Sequence, residues 1–436
     1  MKAKVMKFKK CRVNLKSHNN KVSVFPKRSV LLLSLLLVCH FSYSEDHSIQ
    51  YYIRQGLANN PVLKDLSNQI RSNQYDSLIT RATYLPQVNF NGLMMYAPVI
   101  NGWGYSDVIT NGQQLSGTLN VNQQIFNNKT REVNYQKIGL ENRSLENSRN
   151  LSINELKKAI TAQYLSAYSA LQEAQFQQEI LSTLKDEEKV LKIWVQKGTY
   201  RQTDYLSVKV EIIQLERNIR NLDLQYRKEF FNLNVICGLS DTALIKLSLP
   251  SIEEILKQSP ENSPFFRKFV IDSLKIQTEK LLIDRKYKPT VNWFSDGGLI
   301  NNEPAYLYQN FGISFGMSLS LPVYDGNQRK LNYSKLRVQE ETRKNYQDFF
   351  RTQYIMQLKQ LKDELDNVRL LAIDNDKQIE VVKMLVAQER AELNSGTLTI
   401  TDYILALKNL IEAMHEGIQY QIRAQYILNE INFWKQ

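Results

Sequence analysis

"QNFGISFGMSLSLPVYDGNQ", residues 309–328, decides how this chain is read. Every second residue is large and apolar: Phe311, Ile313, Phe315, Met317, Leu319, Leu321 and Val323. Gly312, Ser314, Gly316, Ser318 and Ser320 stand between them. Period-two alternation of this kind predicts a strand with one greasy face and one small, polar face. The strand is out of place in a chain that otherwise reads as long helix.

The chain is written twice, and the second copy explains the company this strand keeps. "SIQYYIRQGLANNP" (48–61) matches "SIEEILKQSPENSP" (251–264) at an offset of 203 positions, and the register carries on into "YLPQVNF" and "YKPTVNW". Further along the offset becomes 198. "REVNYQK" then meets "RKLNYSK", pairing Arg131 with Arg329 and Tyr135 with Tyr333, and "GTYRQTDY" (198–205) meets "GTLTITDY" (396–403). The change falls between Asn89 and Arg131. Length varies most freely at exposed loop tips, so a tip lies in that segment.

Each copy has the same anatomy. A short helix opens it, with Ser251-x-x-Glu254 fitting a capping box in the second copy. Asn-x-Pro breaks the chain, and a helix then runs to a Tyr-x-Pro, where proline stops it. Alternating segments follow, predicting hairpins over about 86–126 and 289–324 and four strands in all. Two stretches, about 131–197 and 330–395, lack proline and repeat apolar residues at three and four, as at Ile153, Leu156, Ile160, Tyr164, Ala167 and Leu171. Unbroken, each would be about 100 Å long at about 1.5 Å per residue, a coiled-coil-like rod. A Gly-Thr turn and a return helix (204–235; 402–433) complete the copy. The boundaries read as 45–238 for the first repeat, 239–263 for an equatorial connector and 264–436 for the second repeat.

The formal charge of +12 at pH 7 suggests a nucleic-acid or anionic partner, but its distribution removes the suggestion. Ten Lys and Arg and no acid lie in residues 1–44, and the rest of the chain is close to neutral. Lys27-Arg28, the apolar run Val30–Val38 and Ser42-Tyr43-Ser44 read as a secretory signal peptide over 1–44. A lipoprotein signal ending at Cys39 is the alternative, disfavoured by bulky Val38 before it. Past this leader only Cys237, His47 and His415 remain of the cysteines and histidines. No disulfide framework, metal-ligand spacing, phosphate loop or catalytic constellation is legible, so neither an enzyme nor a cofactor is expected.

Strands of 10–13 residues are long enough to cross a bilayer at a tilt, which takes about 9–11. Unpaired backbone in hydrocarbon is too costly for anything but a closed barrel, and four strands are too few to close one around water. Several subunits would therefore share a barrel. The competing reading is a secreted coiled-coil scaffold in which the apolar strand faces pack on each other as a small β-sandwich.

The duplicated unit, "NNP" (59–61), "YLPQV" (84–88), "LPVYDGNQRK" (321–330) and the Gly-x5-Asp turns at Gly198/Asp204 and Gly396/Asp402 together resemble the TolC-type outer-membrane efflux proteins. The resemblance covers residues 45–436. It implies a mostly α fold with a β-barrel part: a homotrimer with a twelve-stranded transmembrane β-barrel, four strands per chain, on a long α-helical barrel crossing the periplasm. It also implies an outer-membrane exit duct for efflux or type I secretion in a Gram-negative bacterium. The partners would be a periplasmic adaptor protein and an inner-membrane transporter. Phe311, Ile313, Phe315, Met317, Leu319 and Leu321 would face lipid. Gly198, Thr199, Thr203, Asp204, Gly396, Thr397, Thr401 and Asp402 would form the tips that dock the adaptor and close the entrance.

On the residues alone those glycines serve to reverse a helix, and Thr203-Asp204 and Thr401-Asp402 are good N-cap pairs. The second tip carboxylate that some relatives carry is replaced here by Ser207 and Leu405, so a strong acidic ring is not expected. Tyr205 and Tyr403 read as packing residues. Trp103, Tyr105, Tyr306 and Tyr308 fall in the outer loops, as interface anchors or loop packing.

Overall fold

The computed structural model describes residues 48–105, 112–125, 128–255 and 260–436. The leader and Cys39 lie outside the described residues. Two short helices, α1 (Ile49–Asn59) and α2 (Pro61–Thr83), lead into a hairpin of β1 (Gln87–Tyr96) and β2 (Gln113–Ile125). The long α3 (Asn128–Gln196) and its return α4 (Gln202–Cys237) follow. After a connector come α5 (Pro264–Lys286), β3 (Thr290–Asn301), β4 (Phe311–Ser320), the long α6 (Gln328–Ser395) and α7 (Ile400–Lys435). The duplication survives in three dimensions: α2 and α5 each hold 23 residues, and α4 and α7 each hold 36.

Local chemistry sets the boundaries. Asn60 caps α2 by accepting from the Val62 and Leu63 N–H groups, with Pro61 at the first helical position where no N–H is needed. Ser263 and Pro264 repeat the device on α5. The long helices carry no proline, and α3 runs unbroken for 69 residues and α6 for 68.

Helices α3 and α4 pack as one antiparallel pair and α6 and α7 as another, with α3 also against α7. Nearer the sheet, α2, α3, α5 and α6 stand side by side, each touching the next. Three apolar clusters hold this frame. One, around Ile180, Leu184, Leu191, Val208, Leu393, Ile400 and Tyr403, joins the far ends of all four long helices. A second centres on Tyr52, Ile160, Tyr164, Phe230 and Cys237, where α1 seats on α3 and α4. The third joins α6 to α7 through Leu361, Leu365, Ile427 and Ile431.

The connector differs from its sequence reading in one respect. Residues 251–255 form no helix, although Ser48, the counterpart of Ser251, does begin one. The reason is competition for backbone groups. Gln425 accepts from the Ile252 N–H, Asn432 accepts from the Ile255 N–H, and the Asn432 amide donates to the Glu253 carbonyl. Side chains of α7 thus supply the partners a first helical turn would need. Upstream, the fully buried Tyr164 hydroxyl donates to the Ser248 carbonyl at 2.8 Å and accepts from the Ser248 N–H at 3.2 Å, pinning the connector to α3.

Candidate functional site

Two parts of the molecule present surfaces that the other described residues leave open: the sheet and the far ends of the long helices. The sheet has the order β1-β2-β3-β4 with every neighbour antiparallel. The two hairpins therefore join edge to edge, Leu119 opposite Gly297 and Val121 opposite Ser295, and do not stack face to face as a sandwich.

Register puts most of the large apolar strand residues on one face, with Leu93, Met95, Phe294 and Ile300 on the other. Val88, Phe90 and Met94 of β1 lie opposite Val121, Leu119 and Leu115 of β2. Val291, Trp293 and Leu299 of β3 lie opposite Leu319, Met317 and Phe311 of β4. Among the described residues nothing covers this face: Phe315 and Met94 are each 86% exposed, and Phe311, Ile313, Met317 and Leu319 are exposed too. Leu321, expected to continue the row, is exposed but lies one residue past the end of β4. The opposite face is largely polar, with Ser314 donating to Asp296 at 2.6 Å and Asn120 to Thr118 at 3.0 Å. Among the described residues β1 and β4 each keep one unpaired edge.

At the far ends, Gly198 and Gly396 both adopt φ of 77°, the left-handed conformation that ends a helix cheaply only in glycine. The following N–H groups close the caps, Thr199 to the Trp194 carbonyl and Thr397 to the Glu392 carbonyl. The return helices begin at Gln202 and Ile400, so their N-caps are Arg201 and Thr399. This corrects the expectation that Thr203-Asp204 and Thr401-Asp402 are the caps. Asp204 and Asp402 sit three positions in: Asp204 reaches back to accept from the Arg201 N–H at 3.1 Å, as in a capping box, while the Thr399 side chain accepts from the Asp402 N–H and its hydroxyl donates to the Asp402 carboxylate at 2.6 Å. Thr203 and Thr401 are exposed on the first turn.

The turns are tied together. Tyr200 stacks on Trp194, with ring centroids 5.4 Å apart, and its hydroxyl donates to the Leu393 carbonyl at 2.7 Å across to the second tip. Tyr403 is fully buried among the helices, and burial, with Glu187 nearby, pushes its hydroxyl up to about 12. Tyr205 is half-buried and donates to Glu188. Both tyrosines pack, as their sequence context suggests. Arg390 on α6 bonds Glu187 on α3 at 2.7 Å. Burial, together with Asp402 and Glu392, raises the Glu389 carboxyl above its usual range. The Asp402 tip thus gains acidic neighbours from α6, while its own helix offers Leu405, which is exposed. Sequence reading missed Trp194, Tyr200, Glu187 and Arg390, because Glu187 and Arg390 meet across 203 positions with no local pattern to mark them.

No family model matches the chain, and no curated protein matches it in sequence. Solved structures do match its shape. The outer membrane protein VceC of Vibrio cholerae superposes with a TM-score of 0.72 at 12% identity, over 89% of this chain and 96% of that one. The open state of the MtrE outer membrane channel of Neisseria gonorrhoeae gives 0.72 at 13% identity, over 88% of each chain. A membrane protein from Pseudomonas aeruginosa gives 0.71 at 15% identity, over 89% and 90%. The chain has the TolC-type fold.

Within the TolC-type fold the two open surfaces are the ends of one elongated body, the sheet at the start of the long helices and the glycine turns at their far ends. Trp103, Tyr105, Tyr306 and Tyr308 are all exposed on the connections between strands. Cys237 is buried, its thiol donates to the Tyr52 carbonyl at 3.3 Å, and burial pushes the thiol up to about 12, which suits a packed side chain. Among the described residues no group of His, Cys, Asp and Glu is placed to hold a metal ion. No described helix is long and apolar enough to cross a membrane.

Proposed function

We propose that three copies of this chain close their sheets into a twelve-stranded barrel in the outer membrane of a Gram-negative bacterium, continued by a duct of long helices through the periplasm. The single observation that carries the proposal is the sheet: one apolar face that no described residue covers, one largely polar face, and, among the described residues, an unpaired edge at β1 and at β4. Joining the β4 edge of one copy to the β1 edge of the next satisfies the backbone, turns the apolar face to lipid and leaves the polar face to water. The row of helices supports the same closure, because its outer members keep apolar side chains in solvent, Tyr75, Leu78 and Ile79 on α2 and Leu331, Val338 and Phe349 on α6.

In this reading the protein is a passive exit duct for efflux or type I secretion. Its tips, residues 198–204 and 396–402, dock a periplasmic adaptor that links the duct to an inner-membrane transporter. The likeness to proteins described as outer-membrane channels supports this assignment.

The test is the mass of the intact particle extracted by detergent from washed outer membranes. Three copies per particle is the expected result. A monomer released from the periplasm without detergent would sink the proposal.

A further inference from the structure

The duplication gives each junction between sheet and helices a twin, and the twins differ in charge. At the second junction Arg329 lies over the rings of Tyr287 and Tyr333, 5.4 and 5.7 Å from their centroids, and bonds Asp284 at 2.6 Å. Hydrogen bonds from Tyr333 and Arg329 hold the Asp284 carboxyl below its usual range. That cation is neutralised. At the first junction the equivalent arginine is Arg131 and the equivalent tyrosines are Tyr84 and Tyr135, but the position of Asp284 is taken by Arg81. The anion of one junction is thus a second cation in the other. Among the described residues neither the Arg81 nor the Arg131 guanidinium has a hydrogen-bond or ion-pair partner, and both residues are exposed.

Arg131 lines a cleft of about 320 Å³ with Tyr84, Gln123, Ile125, Asn128 and Trp293. Gln123, Ile125 and Trp293 belong to the apolar face of the sheet, at its helix-side rim, and the Trp293 indole N–H donates to Gln123 at 3.1 Å. The cleft therefore has a cationic, amide-lined floor and an apolar wall continuous with the face read as lipid-covered. Its charge is one-sided as well. Residues 82–128 and 289–328, the strands and their outer connections, contain no Lys or Arg at all, and the bases resume only at the helix side with Arg81, Lys129, Arg131, Lys288 and Arg329.

From this we infer that the Arg81–Arg131 junction is a binding site for the phosphate of an anionic glycerophospholipid in the periplasmic leaflet, with an acyl chain lying along Ile125 and Trp293. The inference rests on the barrel reading above. A phosphate supplies the acceptor oxygens that Asp284 supplies to Arg329, and guanidinium is suited to bind them in pairs. A base at an anionic lipid surface contributes about a fivefold preference, so two contribute about 25-fold.

The experiment is native mass spectrometry of the full-length detergent-extracted particle titrated with phosphatidylglycerol or phosphatidylcholine. Wild type is expected to retain phosphatidylglycerol in preference by at least tenfold, and Arg81→Gln/Arg131→Gln to lose most of that preference. Lys288→Gln/Lys330→Gln removes the same charge at the second junction and should leave the preference in place; an equal loss there reduces the effect to diffuse rim charge and overturns the site. Excess inorganic phosphate should not displace the lipid, since the acyl contacts remain. Displacement by phosphate alone would make this a site for a soluble anion and overturn the proposal. Equal retention of both lipids overturns the headgroup site while leaving the barrel reading intact, whereas a particle that holds neither lipid and stays soluble without detergent sinks both.

Discussion

Placing a lysine at Phe315 tests which face of the sheet meets lipid. Phe315 is the fifth of the ten residues of β4, on the apolar face and opposite Ser295. Ten residues at about 3.3 Å each, tilted by about 40°, span about 25 Å of height, so in the proposed barrel this position sits near the bilayer midplane. A lysine there costs about 2–4 kcal/mol, and loss of a phenyl ring that lipid would cover adds about 1.5–3 kcal/mol. Three copies in one barrel multiply a cost of about 4–7 kcal/mol per chain. Ser318, three residues on and opposite Asn292, points to the other face, where a lysine meets water and costs at most about 1 kcal/mol. The assay is recovery of each variant in washed outer membranes, together with the urea midpoint after folding into lipid vesicles. Phe315→Lys should be almost absent from the membrane and Ser318→Lys close to wild type. Equal losses, or a fully assembled Phe315→Lys, would refute the assignment of faces.

Three further outcomes follow from the geometry. Gly396→Ala forces a side chain into φ of 77° with no neighbour within 4 Å to blame, so backbone strain alone should cost about 1–2 kcal/mol and lower the thermal midpoint, with Gly396→Asn less affected. Tyr164→Phe strips both Ser248 backbone groups of their partner, costing about 1–3 kcal/mol, and hydrogen exchange across 239–250 should accelerate while the helices stay protected. Glu389 binds its proton more tightly folded than unfolded, so its charge opposes folding above its raised folded value and the penalty is relieved as pH falls through that value. Glu389→Gln should therefore raise the thermal midpoint at pH 7 to 8, with the gain shrinking as pH approaches the carboxylate range; a gain independent of pH would dismiss the electrostatic cause.

The elements of this fold were legible because each rests on short-range rules. Alternation at Phe311–Leu319 marks a strand, three-four spacing without proline marks α3 and α6, and Gly198 and Gly396 mark the reversals. The offset of 203 between α2 and α5, and of 198 between α4 and α7, carried over to their boundaries for the same reason: similar local chemistry stops and starts the chain at the same places. What the sequence could not settle was every choice made by a distant partner. Ser251 and Ser48 open similar segments, yet residues 251–255 are not helical, because Gln425 and Asn432 reach their backbone first. Asp204 and Asp402 were recognisable as helix-start residues, but their place inside the first turn depended on where Arg201 and Thr399 fell in the turn. The pairing of β2 with β3, which makes two hairpins one sheet with one apolar face, joins strands whose paired residues lie more than 160 positions apart. Likewise Arg329 and Arg131 are the same letter in the same motif. Only the packed junction shows that one is neutralised and that the other meets no anion among the described residues, since charge balance is a property of neighbours in space.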